Sequence, residues 1–223
     1  MLILGVDTSW KHGNIALVRD GNVLGTALLE GGTFSAQLVP QIARLLSENG
    51  LKKTDLDGFS VVSGPGSFTG LRVGLAAVKG LAEVLHKPIA ATTVLEAMAL
   101  GHGKEGKVAA ATDAGRGEVY VGEYEVRRRG VRLQAASLGE LVVARTEAAS
   151  AVKGSEVICC EQSIAAMFRE SGINPIELPR PDSAAIGRIG AEKIAAGETV
   201  SPDRLDADYM RRSDAEIFSP PKA

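Results

Sequence analysis

The same order of predicted elements occurs in both halves of the chain, and this duplication restricts the fold more than any other feature. Each half predicts three strands, a helix, a further strand and another helix, although the two halves share negligible sequence identity. The first half predicts strands at 2–7, 14–19, 23–29, 58–62 and 88–91, and helices at 35–49, at 69–86 and after Thr93. The second half predicts strands at 108–113, 118–126, 131–136 and 157–160, a capping box Ser137-x-x-Glu140 that opens a helix, and helices at 163–171 and 184–196. The chain is therefore predicted to be an α/β protein of two lobes, each built on a mixed sheet.

A polar, glycine-rich segment at 101–106 separates the two halves and predicts the boundary between the lobes. We predict an N-terminal lobe at 1–103 and a C-terminal lobe with a tail at 104–223. The chain of 223 residues is long enough to bury roughly 70–75% of its unfolded surface without disulfides or metals.

Acidic residues end the first strand of each half. Asp7 is followed by Thr8 and Ser9, and Asp113 occupies the matching place in the second half. Two facing carboxylates between two lobes indicate a cleft for a metal–phosphate ligand, which is the arrangement of the actin, Hsp70 and sugar-kinase superfamily. The candidate phosphate-cleft residues are Asp7, Thr8, Ser9 and Asp113. The alternative is that each aspartate only caps its own hairpin turn through its side chain.

The segment at 63–74, Ser-Gly-Pro-Gly-Ser-Phe-Thr-Gly-Leu-Arg-Val-Gly, joins an apolar strand to an apolar helix. It lacks the lysine of a Walker A loop, its third glycine comes one residue late for a dinucleotide fingerprint, and it has no nucleophile elbow. Ser67 or Thr69 is predicted to cap the following helix, whose free N–H groups would suit an anion. Two interpretations of this segment remain. It is either a capped turn that leads into an interface helix, which is favoured, or a loop that contacts a ligand.

Composition excludes several classes of function. The net charge of −2 argues against strong nucleic-acid binding by this chain alone, and no apolar run is long enough to span a membrane. The N-terminus reads as a strand rather than a signal peptide, so a cytoplasmic location is expected. Cys159 and Cys160 are adjacent, which places them on opposite faces of a strand as core residues rather than a disulfide.

Metal and peptidase chemistry find little support in the sequence. The three histidines, His12, His86 and His102, are scattered and form no ligand pair, and His102 is expected to be solvated in the linker. No nucleophile–base set is evident. An arginine cluster at a predicted hairpin tip suits either RNA phosphates or a solvated turn, with the solvated turn favoured; it comprises Arg127, Arg128, Arg129 and Arg132.

Small residues recur along the helix that follows the glycine loop. Gly70, Gly74 and Ala77 are spaced four and three apart and share one face, which would let another helix approach closely. Ordinary core packing is the alternative explanation. A large residue at Gly74 is expected to weaken association with a partner.

The chain resembles the TsaB (YeaZ) family over nearly its whole length. The resemblance rests on the glycine loop above, on segments 6–9, 79–81, 95–97 and 113–120, and on a Tyr209-x-Arg211 piece near the C-terminus. Many relatives carry a histidine near Ser35, and its absence here puts any contact of that side chain in doubt.

The resemblance implies a role in making threonylcarbamoyladenosine in tRNA, beside the anticodon, in tRNAs reading codons that begin with A. It implies a non-catalytic subunit without cofactors of its own, which assembles with the catalytic subunit TsaD and the ATPase TsaE. Those partners would bind ATP or ADP and a metal. The chain would contact tRNA through the complex, and on its own it would form a homodimer. The residues expected at the partner interface, on the two N-terminal helices, are Leu38, Ile42, Gly70, Leu71, Gly74, Ala77, Val78 and Leu81. The competing hypothesis is an enzyme of the kinase-like superfamily that binds or hydrolyses ATP.

Overall fold

The computed structural model describes residues 1–208 and 210 and contains two five-stranded mixed sheets. The first sheet contains the five strands between residues 2 and 93, in the spatial order third, second, first, fourth and fifth by chain position. The second contains the five strands between residues 106 and 177, in the order fifth, fourth, first, second and third. In each sheet the first three strands in chain order form an antiparallel meander, and the remaining two continue from its first strand in parallel. Both sheets therefore repeat one topology, and the predicted duplication is confirmed.

Most element bounds agree with the sequence prediction within a few residues. The first sheet contains β1 (Leu2–Asp7), β2 (Gly13–Arg19), β3 (Asn22–Leu29), β4 (Gly58–Gly64) and β5 (Ile89–Thr93). The second contains β6 (Gly106–Gly115), β7 (Glu118–Arg129), β8 (Arg132–Ala144), β9 (Glu156–Cys159) and β10 (Ile176–Glu177). The helices are α1 (Phe34–Glu48), α2 (Phe68–Leu85), α3 (Val94–Gly101), α4 (Ala148–Ala151), α5 (Gln162–Glu170) and α6 (Ser183–Ala195).

The prediction of a helix that begins at the Ser137 capping box is wrong. Strand β8 runs through Ser137 and Glu140 to Ala144, paired with β7 along its length, and a bulge lies between the Glu123–Gly139 and Tyr124–Ser137 pairs. The residues after Glu140, Leu-Val-Val, favour a strand, and pairing with β7 outweighs the local capping signal. The helix that follows, α4, has only 4 residues.

Each sheet is packed against a helix that comes from the other half of the sequence. Helices α1 and α2 pack on one face of the first sheet, and α6, from the second half of the sequence, packs on its other face against β1, β2, β4 and β5. Helix α3, from the first half, packs instead on β6, β7 and β8. The division at residues 103 and 104 stays a prediction, and helix packing crosses it in both directions.

The larger hydrophobic core joins both sheets. It contains Leu4 and Phe59 of the first sheet together with Ala110 and Tyr124 of the second, whereas a smaller core around Phe168 belongs to the second sheet alone. In the described part of the chain, no helix is long and apolar enough to cross a bilayer. Tyr209, Arg211 and the rest of the tail lie outside the described residues.

Candidate functional site

A cleft of about 430 Å³ lies where β1 and β6 end, between the two lobes. Ser9 and Asp113 both line it, so the structure brings these two predicted residues to one cavity. Asp7 and Thr8 do not line it, because they are buried beneath it with 3% and 1% of their surface exposed. The other lining residues are Trp10, Lys11, Gly32, Phe34, Gly66, Ser67, Ala114, Gly115 and Tyr120.

Asp7 closes the turn that leaves β1. Its Oδ1 accepts a hydrogen bond from the backbone N–H of Ser9 at 2.8 Å and one from the Ser9 hydroxyl at 2.6 Å. This is the side-chain turn that was the alternative to a ligand role. With that oxygen engaged and the carboxylate buried, Asp7 supports the cleft wall.

Asp113 has an equivalent role in the second lobe. Its Oδ1 accepts from the backbone N–H of Gly115 at 3.2 Å and from Nη2 of Arg145 at 3.0 Å. The arginine was not foreseen from the sequence, since it lies just beyond β8 and only the sheet pairing brings it to the end of β6. One carboxylate oxygen of Asp113 is therefore engaged both by its own turn and by Arg145.

A buried polar network connects β5, β7 and β8 at the lobe boundary. The Tyr124 hydroxyl donates to Oε1 of Glu140, and the Thr93 hydroxyl donates to the same oxygen at 2.9 Å. Thr93 also caps α3 by accepting from the Glu96 N–H at 3.0 Å, as predicted. Burial, reinforced by the nearby Asp208 and Glu96 carboxylates, raises the pKa of Glu140. Glu140, predicted to start a helix, is therefore part of the joint between the lobes.

The predicted interface residues are mostly core residues of this chain. Gly70 and Gly74 face Thr8: an added Cβ would lie 2.1 Å from the Thr8 carbonyl oxygen and 2.3 Å from its hydroxyl, respectively. The small-residue stripe therefore lets α2 approach the end of β1. Of the predicted set, only Ala77 and Leu81 are partly exposed, whereas the buried members are Leu38, Ile42, Gly70, Leu71, Gly74 and Val78.

The opposite sides of α1 and α2 form an exposed surface that we call the outer helical face. Val39 of α1 and Val84 of α2 are 53% and 71% exposed. Most of the other exposed apolar residues on these sides are small, and the charged Arg44, Arg72 and Glu83 are exposed beside them. Among the described residues nothing lies within 4 Å of the Cβ position at Gly80. The exposed members of the face are Ala36, Val39, Pro40, Ala43, Ala76, Gly80 and Val84.

His102 and the two cysteines take structural positions. The prediction that His102 is solvated is wrong, because its side chain is only 4% exposed and its Nε2 lies 2.6 Å from Oε2 of Glu156. Cys159 belongs to the smaller core and Cys160 packs on the larger one, and burial raises their thiol pKa values to about 11 and about 12. Within residues 1–208 and 210, no three His, Cys, Asp or Glu side chains lie close enough together to hold a metal ion.

The arginines at 127–132 lie at the tip of the β7–β8 hairpin, as predicted. Arg127 is 3.6 Å from Glu125, Arg128 is 3.9 Å from Glu105, and Arg132 is 3.7 Å from Glu192. These neighbouring carboxylates offset much of the positive charge. Contact of the cluster with RNA stays a prediction.

Comparison with known proteins places this chain in a family. A family model described as TsaD: tRNA N6-adenosine threonylcarbamoyltransferase matches residues 32–201. The chain is 29% identical to the tRNA threonylcarbamoyladenosine biosynthesis protein TsaB of Escherichia coli, with 96% of each chain covered. It is 36% identical to TsaB of Bacillus subtilis over 57% of this chain and 56% of that protein. The chain belongs to the TsaB (YeaZ) family.

Solved structures support both the family and the fold. YeaZ from Pseudomonas aeruginosa superposes with a TM-score of 0.73 at 25% identity, covering 93% of this chain and 99% of that one. The ethanolamine utilization protein EutJ from Carboxydothermus hydrogenoformans and the ROK hexokinase from Thermus thermophilus share the fold alone. Their TM-scores are 0.53 and 0.50 at 11% and 14% identity, and they cover 84% and 88% of this chain. The predicted actin-like, sugar-kinase-like architecture is confirmed.

Proposed function

We propose that this TsaB-family chain is a non-catalytic assembly subunit in the synthesis of threonylcarbamoyladenosine in tRNA. In this proposal it docks a TsaD-type catalytic subunit through the outer helical face. That subunit transfers the threonylcarbamoyl group from its adenylate to N6 of the adenosine beside the anticodon. The observation that carries the proposal is the set of exposed, mostly small apolar side chains on the two helices that cover one face of the first sheet.

The outer helical face has the properties of a helix-docking surface. Small side chains let a partner helix approach closely, while Val39 and Val84 supply apolar area at its margins. Gly80 lies inside α2 with no positive φ and no near neighbour among the described residues. A glycine in a helix interior costs roughly 0.5–1 kcal/mol relative to alanine, so this chain gives no folding reason for it.

The cleft supports a role other than catalysis. Both strand-end aspartates close turns, and Asp113 is also paired with Arg145. In the proposal, ATP or ADP and a metal are bound by the partner subunits, TsaD and the ATPase TsaE, and the complex meets tRNA in the cytoplasm. Without TsaD, a second copy of the chain covers the same face and forms a homodimer.

Reconstitution of tRNA modification from TsaD and TsaE, with and without this chain, tests the role. Asp7→Asn and Asp113→Asn keep the accepting oxygen and remove the charge, so both turns are retained. We expect modification to require the chain and to be indifferent to either substitution. Loss of modification by a variant that still assembles, together with nucleotide turnover by the isolated wild-type chain, would favour the competing ATP-dependent enzyme.

A second experiment tests the docking surface. Gly80→Leu places a large side chain on the outer helical face, and we expect it to weaken TsaD binding at least about tenfold, or about 1.4 kcal/mol. Gly101→Leu is the matched control, since Gly101 is also exposed, ends α3 and has no described atom within 4 Å of its Cβ position. Equal affinity of the two variants in a titration would overturn the placement. Sedimentation of each variant alone checks whether the homodimer uses the same face.

A further inference from the structure

The chain passes from the second sheet back to the first through the segment at 178–182, between β10 and α6. Arg180 lies in the middle of this crossing. Its guanidinium stacks over the Trp10 ring at 4.5 Å from the ring centre, and Nη2 donates to the Ser9 hydroxyl oxygen at 3.2 Å. Arg180 is therefore attached to the turn after β1, on the first-lobe side of the cleft.

Glu161 faces Arg180 from the second lobe. It is the residue before α5, and its Oε1 accepts from the Thr112 hydroxyl of β6 at 2.6 Å. Nη1 of Arg180 lies 4.0 Å from that same oxygen. Opposite charges at this distance attract, but the separation is too long for a hydrogen bond.

Both partners of this pair have unsatisfied polar atoms. Nε and Nη1 of Arg180 and Oε2 of Glu161 are shielded from solvent, and none has a hydrogen-bond partner within the described residues. Buried charged groups normally have such partners, and exceptions call for an explanation. Here the donors lie on one side of the lobe boundary and the acceptor lies on the other.

The other end of α6 shows a lobe contact that is already complete. Nζ of Lys193 lies 2.6 Å from Oε2 of Glu96 in α3 and donates to the Ala91 carbonyl at 2.9 Å. At 1.5 Å per residue, Lys193 is about 15 Å along the helix from its first residue, which adjoins the Arg180 segment. The ion pair between the lobes is therefore hydrogen-bonded at one end of α6, whereas the pair near the other end is 4.0 Å long.

We propose that Arg180 is a latch that closes the cleft between the lobes. A movement of about 1 Å, pivoting near the Lys193–Glu96 pair, brings Nη1 within hydrogen-bond distance of Glu161. The closed state gives the unpartnered Nη1 an acceptor and draws Trp10 and Ser9 toward the second lobe. A ligand in the cleft, or a partner that docks beside it, shifts the equilibrium between the open and closed states when it binds one of them more tightly than the other. This inference concerns the isolated chain and does not depend on the proposed function.

Trp10 is the only tryptophan in the chain and provides the measurement. Glu161→Gln keeps an oxygen to accept from Thr112 and removes the charge that attracts Arg180, so it disfavours closure. We expect the acrylamide quenching constant of Trp10 fluorescence to rise about twofold. Glu170→Gln, an exposed position at the end of the same helix, is the matched control and should leave quenching unchanged.

Thr112→Val supplies a second variant if Glu161→Gln unfolds the chain. It releases Glu161 from its anchor on β6, so that pairing with Arg180 no longer pulls the second lobe toward the first. We therefore expect Trp10 quenching to rise, as in Glu161→Gln. Hydrogen exchange at the turn amides of 8–13 and 114–117 should speed up in both variants, with circular dichroism confirming that the fold is intact. Quenching and exchange equal to those of Glu170→Gln in a folded variant would overturn the latch.

Discussion

The two lobes share one strand order but differ in what covers it. In the first lobe, α1 and α2 have 15 and 18 residues and expose a small-residue apolar face. The corresponding helices of the second lobe, α4 and α5, have 4 and 9 residues, and the strands β7 and β8 are correspondingly long, with 12 and 13 residues. A duplicated sheet topology therefore does not duplicate the surface, and the long helix pair with exposed small residues belongs to the first lobe.

The lobes also differ in how their cores are connected. The smaller core belongs to the second sheet, whereas the larger core joins residues of both sheets. Because the two lobes share that larger core and exchange α3 and α6, we expect them to unfold together. The predictions below test this difference in surface and this connection in the core.

The largest effect is expected from Phe168→Ala in the smaller core. Phe168 is fully buried, and removing such a ring costs roughly 3–5 kcal/mol. Trp10, in the other lobe, and the backbone circular dichroism should report the same lowered transition in denaturant. Phe68→Ala, at a ring that is 36% exposed, is the control with a much smaller loss of stability. A Trp10 transition that stays at its wild-type midpoint would show that the lobes unfold independently.

Gly70→Ala should destabilise the first lobe by about 1–3 kcal/mol. The added methyl would lie 2.1 Å from the Thr8 carbonyl oxygen, which is backbone and cannot rotate away. Gly101→Ala, at an open position, provides the comparison for a glycine-to-alanine change without a clash. The measurement is the free energy of unfolding in urea, and equal values for the two variants would contradict the close approach of α2 to β1.

The sequence predicted most of the strands and helices and their duplicated order, but it misjudged which residues of α1 and α2 face outward. Periodicity and turn residues locate strands and helices, and they also placed Asp7 and Asp113 at matching strand ends. They cannot show whether the small stripe of Gly70 and Gly74 faces a partner or Thr8, because both situations require the same residues. The surface proposed for docking, around Gly80, lies on the other side of the same helix.

The errors in the second lobe have a related physical cause. Ser137-x-x-Glu140 satisfies the local rule for a helix start, yet β8 continues because its neighbours pair with β7. The partners Arg145 of Asp113, Glu161 of Arg180 and Glu156 of His102 are distant in sequence. Side-chain partners brought together only by sheet pairing leave no periodic signal, and the polar contacts between the lobes were accordingly missed.

Glu140→Gln should stabilise the chain by about 1 kcal/mol near neutral pH. The amide keeps an acceptor for Tyr124 and Thr93, and it replaces the unpartnered Oε2 with a neutral group near Glu96 and Asp208. Burial raises the pKa of Glu140 in the folded state, so the wild-type chain loses stability as the pH rises above the ordinary value of 4.5. The advantage of the variant should therefore shrink toward pH 4 in urea titrations. An advantage that grows on acidification would contradict the buried environment of this carboxyl.

The smallest effect, and the most direct test of what the outer helical face is for, is expected from Gly80→Ala. Alanine in the interior of α2 should raise the free energy of unfolding of the isolated chain by roughly 0.5–1 kcal/mol, because the site is open and needs no positive φ. If a partner helix approaches there, the same methyl should weaken TsaD binding, though less than Gly80→Leu does. Stability and affinity would then move in opposite directions, which ordinary surface packing does not produce. A stabilised variant that binds TsaD as tightly as the wild type would show that close approach occurs elsewhere on the lobe.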